Sequence, residues 1–259
     1  MNVNIKWLVA TLFSLFALVA CSKNDANKPA DAAPSLNDLR KTEPAPAPSL
    51  SDIRNPEIMK KEAEKRLPQG DREHALADYK KVDSGHQLMF MYFGISSMPV
   101  DYEKIASLYS QEYARTNDAF KRQDILKALM PRIEAEIAGA KTDRYFIFDI
   151  QDYGSALGSY DLRTKGFKLN AMKESGGYRY FNDNQSYHLS FTNSMNFALL
   201  SEAEEARARV IEAMVSQNQR MKVRIFAFAQ DADPSNMTVK AQILKVQIFK
   251  GQDELIGEI

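Results

Sequence analysis

The side chain best suited to covalent chemistry in this sequence is the thiol of Cys21, the only cysteine among 259 residues. Leu18, Val19 and Ala20 precede it, so apolar or small side chains stand on its N-terminal side. A thiolate is nucleophilic near neutral pH, and a single cysteine forms no intrachain disulfide and no cysteine-based metal site. The sulfur of Cys21 is therefore a candidate acceptor in a transfer reaction.

The residues around Cys21 resemble a bacterial lipoprotein signal. Residues 1–6 carry one positive charge and residues 7–20 are apolar, a length typical of a signal peptide and too short for a membrane span. Residues 18–21 resemble the lipobox, which implies cleavage before Cys21 and lipid transfer to its sulfur. Ser22, in place of an aspartate, favours the outer membrane, facing the periplasm. An ordinary secretory leader or an uncleaved anchor is the alternative.

Three carboxylates end or follow predicted strands: Asp149, Asp152 and Asp161. Such side chains converge at one end of a sheet, and a pair of carboxylates performs glycoside hydrolysis. This set therefore predicts an alternative function, an envelope glycan or peptidoglycan hydrolase. Strand-end and turn carboxylates in contact with water produce the same pattern, and we favour that interpretation.

Tyrosines recur in the same strands, and we name Tyr160, Tyr178, Tyr180 and Tyr187 as candidate ligand-binding residues. Tyrosine rings on a sheet stack on sugar rings, while neighbouring amides, such as those of residues 182–185, bind hydroxyl groups. Tyrosine is also a common strand residue that packs its ring and leaves its hydroxyl in water, so a purely structural role is the alternative.

Other familiar reaction centres are missing from the sequence. His74, His86 and His188 lie far apart without a partner at metal-ligand spacing. Residues 231–236 lack the spacing of a calcium loop and predict a plain hairpin loop. No nucleophile elbow or phosphate-binding loop occurs. We therefore expect no metal and no cofactor, and we consider a non-enzyme more consistent with the sequence than an enzyme.

The charge balance argues against nucleic acid as a partner. The chain holds 34 basic and 34 acidic side chains, and removal of residues 1–20 takes away only Lys6. A nucleic-acid-binding domain has a basic surface, which this composition does not provide.

Residues 21–56 predict a tether, because they are rich in Ala, Pro, Ser, Asn and Asp and poor in large apolar side chains. Within the tether, residues 34–40 recur with small changes as residues 48–54. The two copies are either a pair of short binding motifs or a local duplication without function.

The remainder predicts an α+β fold, with N-terminal helices followed by a mainly antiparallel sheet that one helix interrupts. Residues 57–141 form the helical region, in which Pro131 is expected to kink or divide a helix. Residues 142–259 form the β region, with the interrupting helix capped by Ser201. The two regions are predicted to form one domain after the leader, residues 1–20, and the tether.

Parts of this region resemble a bacterial domain family of unknown function. The resemblance rests on residues 116–122, residues 127–133, and the sequence Tyr160-Asp161-Leu162 followed by Phe167, and it covers roughly residues 102–259. The family has no established activity, so the resemblance implies no site residues.

These features together predict an envelope lipoprotein that the lipid on Cys21 anchors to the membrane. We expect a non-catalytic binding or assembly role, with an envelope protein or a glycan as partner, because the sequence lacks a recognisable catalytic set.

Overall fold

The computed structural model describes residues 55–151, 156–172, 179–251 and 254–259. The leader, the tether, its repeats and the side chains of Asp152 and Tyr178 lie outside these residues. The helices are α1 (Pro56–Lys65), α2 (Gly85–Ile95), α3 (Tyr102–Tyr109), α4 (Gln111–Arg115), α5 (Ala119–Thr142) and α6 (Glu205–Ser216). The strands are β1 (Lys80–Lys81), β2 (Tyr145–Gln151), β3 (Leu157–Asp161), β4 (Gly166–Leu169), β5 (Arg179–Phe181), β6 (Asn184–Phe191), β7 (Leu199–Ser201), β8 (Met221–Asp233), β9 (Thr238–Lys250) and β10 (Glu254–Glu258).

The larger sheet of the described chain has the strand order β1-β2-β8-β9-β6-β5, and β10 also pairs with β9. The pairs β1–β2 and β6–β9 are parallel, whereas the other pairs are antiparallel. Strands β3, β4 and β7 form a second, antiparallel sheet. The fold is therefore α+β, with a mixed and mostly antiparallel sheet, and the predicted fold class is confirmed.

One edge of β9 is shared by two strands. Residues Thr238 to Ala241 pair with β6, and the second half of β9 pairs with β10. Between these two segments the side chain of Asn193 accepts a hydrogen bond from the Ile243 N–H and donates one to the Ile243 carbonyl, at 2.8 and 2.9 Å. The Asn193 amide thus replaces a backbone partner at the gap between β6 and β10.

Helix α2 covers one face of the larger sheet, and α5 packs on α2. Helix α2 begins with a capping box at Ser84 and buries Leu88 and Met89 completely against the sheet. Helix α5 packs on α2 and buries Ile133. A hydrophobic core runs from Val82 in the helical region to Ile256 in β10, so helices and strands share one core.

The residues between α1 and β1 lie across the other face of the larger sheet. Gln230 donates a side-chain hydrogen bond of 2.8 Å to the Pro68 carbonyl. The Gly70 N–H donates one of 2.9 Å to the side chain of Gln242. A Cβ atom on Gly70 would lie 2.6 Å from the Cβ of Phe228, so only glycine fits between this segment and the sheet.

The second sheet packs against α6. The β3–β4 hairpin pairs Tyr160 with Phe167, and β4 pairs in turn with β7. Helix α6 buries Ala208, Ile211 and Met214, which lie on one face of the helix because they are three residues apart. This arrangement places a neighbouring, more polar face of α6 beside β3.

The boundaries of the helical region differ from the sequence prediction. Residues 66–84 are not α-helical, because this segment follows the sheet through hydrogen bonds such as those of Pro68 and Gly70. Helix α5 continues through Pro131 instead of dividing there. Packed apolar side chains on both sides, Leu129 and Ile133, hold the helix across the position at which proline removes one hydrogen bond.

The predicted cap of the interrupting helix is also corrected. Ser201 belongs to β7 and pairs with Gly166, so it is part of a sheet and not a helix cap. Helix α6 begins after Glu204, whose N–H donates a 3.0 Å hydrogen bond to the side chain of Glu202. In the described part of the chain, no helix combines the length and hydrophobicity that crossing a membrane requires.

Candidate ligand-binding groove

A groove of about 530 Å³ lies between α6 and the β3–β4 hairpin. One wall is the polar face of α6, and the other consists of Tyr160 and Leu162 from the hairpin. We call this feature the α6 groove. Its α6 side chains are Glu205, Ala208, Arg209, Glu212, Ala213 and Ser216.

The spacing of the α6 residues explains why they line one groove. Glu205, Arg209, Glu212 and Ser216 follow each other at intervals of four, three and four residues, so they form one row along the helix. Ala208 lies beside this row and is buried. The alanine leaves room between the helix and the hairpin that a longer side chain would fill.

Tyr160 is held in the groove at two points. Its N–H donates a 2.8 Å hydrogen bond to the Glu212 carboxylate, and its hydroxyl donates a 2.8 Å hydrogen bond to the Glu202 carbonyl. Its ring packs against Phe167 with a centroid distance of 5.0 Å. The hydroxyl and ring contacts hold the half-buried Tyr160 side chain in place without a ligand, and the N–H contact holds its main chain.

The charged side chains of the groove form one ion pair and one separate carboxylate. Arg209 Nε donates to Glu205 Oε1 at 3.0 Å, and both side chains are 77% exposed. Glu212 accepts a hydrogen bond from the Tyr160 N–H, and the Ser216 hydroxyl, which donates to the Glu212 main-chain carbonyl at 2.9 Å, lies 3.3 Å from the same carboxylate. The groove therefore combines an aromatic ring, a small apolar floor and several hydrogen-bonding groups.

The hairpin turn presents an apolar side chain at the rim of the groove. Leu162 is 84% exposed, although it is a large aliphatic residue. The preceding Asp161 accepts hydrogen bonds from the N–H groups of Arg163 and Thr164, at 2.7 and 3.3 Å. These hydrogen bonds lower the pKa of Asp161, mainly through the Arg163 N–H, and they fix the turn that carries Leu162.

The structure separates the predicted ligand-binding tyrosines. Tyr160 lines the α6 groove, whereas Tyr180 lies on the edge strand β5 of the larger sheet and is 54% exposed. Tyr187 in β6 is completely buried and is not accessible to a ligand from solvent. Tyr178 lies outside the described residues. The described tyrosines therefore do not form one continuous surface, and Tyr160 is the member that lines a groove.

The Tyr187 side chain packs against aromatic residues of α2. Its ring lies 5.5 Å from that of Tyr92 and 6.0 Å from that of Phe93, measured between centroids. Its hydroxyl is buried without a hydrogen-bond partner in the described part of the chain. Burial raises the pKa of Tyr187 to about 12, with smaller contributions from Tyr92 and Asp101.

The two described members of the carboxylate set each have a structural contact. Asp149 in β2 binds the Arg224 guanidinium through both oxygens, at 2.9 and 3.0 Å. Asp161 closes the hairpin turn in the other sheet, and its lowered pKa is opposite to what a general acid requires. Asp152 lies outside the described residues. The arrangement of Asp149 and Asp161 gives no support to a paired-carboxylate site.

The histidines contribute to packing between elements. The His74 ring stacks on the Tyr145 ring with a centroid distance of 3.6 Å. His86 places Nε2 at 2.8 Å from the Leu108 carbonyl and Nδ1 at 3.1 Å from the Asp183 carboxylate. Nδ1 of His188 lies 3.0 Å from the Asn236 carbonyl. Across the described residues, His, Cys, Asp and Glu side chains form no group of three suited to a metal ion.

Tyr160 was predicted from the sequence as a ligand-binding residue, whereas the groove residues of α6 were not. Glu205, Arg209, Glu212 and Ser216 have helical spacing, but a polar row on a helix is usually a solvated surface. The alanine at position 208, beside that row, was the available sequence signal, because a small residue permits another element to approach. Only the packing of the β3–β4 hairpin on α6 turns the row into one wall of a groove.

Comparisons with known proteins add no relative: no protein-family model matches this chain, and neither the curated proteins nor the solved structures contain a significant match.

Proposed function

We propose that this chain is a lipid-anchored envelope protein that faces the periplasm and binds glycan, without catalysis, in the α6 groove. The observation that carries the proposal is Tyr160, hydrogen-bonded through its main-chain N–H and its hydroxyl, in a groove that a row of polar side chains on α6 also lines. The proposed partner is a glycan of the bacterial envelope, such as a peptidoglycan strand.

The chemistry of a sugar ring corresponds to the two walls of the groove. A pyranose has faces of C–H groups, which stack on aromatic rings, and a rim of hydroxyl groups, which need hydrogen-bonding partners. Tyr160 and Leu162 supply the apolar wall, and Arg209, Glu212 and Ser216 supply donors and acceptors on the other. A volume of about 530 Å³ falls in the range of small-ligand sites and accommodates a short saccharide.

The anchoring part of the proposal rests on Cys21 and the preceding residues, which resemble a lipobox. Lipid on the Cys21 sulfur would hold the protein at the outer membrane, and the Pro-rich tether would allow the folded part to reach envelope polymers. The hydrolase alternative receives no support from Asp149 and Asp161, because Asp149 binds Arg224 and Asp161 closes a turn.

Calorimetric titration of the full chain in mild detergent with soluble peptidoglycan fragments tests the proposal. We expect saturable binding that Tyr160→Ala weakens about fivefold, since burial of one aromatic face contributes on the order of 1 kcal/mol. Because Tyr160 also packs on Phe167, Arg209→Ala provides a second variant whose side chain is largely exposed, and it should also weaken binding. Thermal unfolding of each variant shows whether the fold is intact.

Tyr180→Ala is the matched control, because it removes an exposed tyrosine from the other sheet. We expect this variant to bind the fragments like the unmodified protein. Absence of saturable binding would contradict the proposed function. If Tyr180→Ala loses binding of the fragments and Tyr160→Ala does not, the ligand binds at β5 and not in the α6 groove.

A further inference from the structure

Glu212 is the carboxylate of the α6 groove that has no cationic partner in the described part of the chain. Glu205 and Arg209 neutralise each other, so the lining residues retain one negative charge, at Glu212. The Glu212 carboxylate accepts a hydrogen bond from the Tyr160 N–H, whereas the Ser216 hydroxyl donates to the Glu212 main-chain carbonyl at 2.9 Å. A carboxylate offers about four acceptor positions, so Glu212 retains capacity for a ligand donor.

Tyr160 lines the same groove, and its main-chain N–H donates the 2.8 Å hydrogen bond to Glu212. An ammonium group is attracted both by a carboxylate and by the face of an aromatic ring. A site that combines these two features favours a positively charged donor over a neutral or an anionic one. This preference for a positive charge is independent of the ring stacking by which a neutral sugar would bind.

We infer that the ligand of the α6 groove is a glycan that carries a free primary amine, and that its ammonium group pairs with Glu212 beside the Tyr160 ring. This inference rests on the proposed function and names the class of glycan. An N-acetylated sugar offers one N–H together with a carbonyl oxygen, which a carboxylate repels, whereas an ammonium group offers three donors and a charge. The groove should therefore distinguish amino sugars by their acetylation.

The test compares two oligosaccharides that differ only at nitrogen. Calorimetry with the full chain in mild detergent measures the affinity for glucosamine tetramer and for N-acetylglucosamine tetramer. We expect the free-amine tetramer to bind about tenfold more tightly at low ionic strength, with a carboxylate and an aromatic face both contributing. Glu212→Gln should abolish this preference, because it retains the size and an acceptor oxygen for Tyr160 but removes the charge.

Glu204→Gln is the control, since Glu204 is an exposed glutamate immediately before α6 that does not line the groove. This variant should keep the preference for the free amine. A second measurement requires no variant: added salt should weaken the binding of the free-amine tetramer more than that of the acetylated one.

The inference would be overturned if the unmodified protein binds both tetramers equally and Glu212→Gln binds them with the same affinities. The proposed function would then hold for a neutral glycan. Failure of both tetramers and of peptidoglycan fragments to bind would overturn the proposed function together with the inference. A preference for the free amine that persists in Glu212→Gln would place the ammonium group elsewhere and would also overturn the inference.

Discussion

The side chain of Asn193 forms two hydrogen bonds with the main chain of Ile243, one to its N–H and one to its carbonyl, and so takes the place of a strand at the edge of β9. Along the edge of β9, Ile243 lies between the residues that pair with β6 and those that pair with β10. The Asn193 contact therefore fills the gap between the two strands that share this edge. A buried or half-buried backbone group without a partner costs free energy comparable to a lost hydrogen bond.

Asn193→Ala should therefore lower the free energy of unfolding by about 2 kcal/mol, since it leaves the N–H and the carbonyl of Ile243 unpaired. Urea denaturation measures the change. Asn196→Ala is the matched control, because Asn196 is an exposed asparagine in the same turn, and it should leave the stability within about 0.5 kcal/mol. Equal effects of the two variants would show that the Asn193 side chain is not a required partner of β9.

Tyr187→Phe should leave the protein at least as stable at neutral pH, because the hydroxyl it removes is buried and has no hydrogen-bond partner in the described chain. The pKa of Tyr187 is raised from 10 to about 12 by burial, so the folded state keeps the proton that the unfolded state loses in this range. The contribution of Tyr187 to stability is therefore complete below pH 10 and is lost as the pH rises towards 12.

The measurement is denaturation by urea at neutral pH and again at alkaline pH, for the unmodified protein and for Tyr187→Phe. The variant should lose less stability at alkaline pH than the unmodified protein. Tyr180→Phe, which changes an exposed tyrosine, should follow the unmodified protein. A Tyr187→Phe protein that is strongly destabilised at neutral pH would mean that the hydroxyl has a partner.

Replacement of either of two glycines by alanine should change the free energy of unfolding, in opposite directions for the two positions. Gly70→Ala places a methyl group against Phe228, and overpacking of this kind destabilises by about 1–3 kcal/mol. Gly139→Ala adds a methyl group in α5 where no atom lies within 4 Å, so better helix propensity should stabilise by roughly 0.5–1 kcal/mol. Thermal unfolding compares the two; a stable Gly70→Ala would contradict the close contact of residues 66–84 with the sheet.

If Cys21 is the proposed lipid acceptor, Cys21→Ser should abolish incorporation of a labelled lipid precursor and release the protein from the membrane fraction, because serine lacks the thiol. Labelling in a bacterial host followed by fractionation measures both effects. Ser22→Ala, which keeps the sulfur, should remain labelled. Persistent label in Cys21→Ser would contradict lipid attachment at this residue.

Part of the fold was accessible from local patterns. The apolar run over residues 145–150, which fits a strand with apolar side chains on both faces, predicts β2, and the turn between Tyr160 and Phe167 predicts the β3–β4 hairpin. Both signals arise within a few neighbouring residues. The parallel pairing of β6 with β9 was not predictable in this way, since its register depends on contacts between His188 and Thr238, 50 positions apart.

The sequence by itself determined the α+β class, the long β8–β9 hairpin and the candidate lipid acceptor Cys21, because each depends on periodicity or on a motif of adjacent residues. The tertiary structure alone decided that Tyr187 is buried, that Asp149 binds Arg224, and that Tyr160 faces a polar row on α6. The physical reason is that burial and ion pairing depend on which segments, distant in sequence, pack together. This packing is determined by the complete hydrophobic core and not by local sequence.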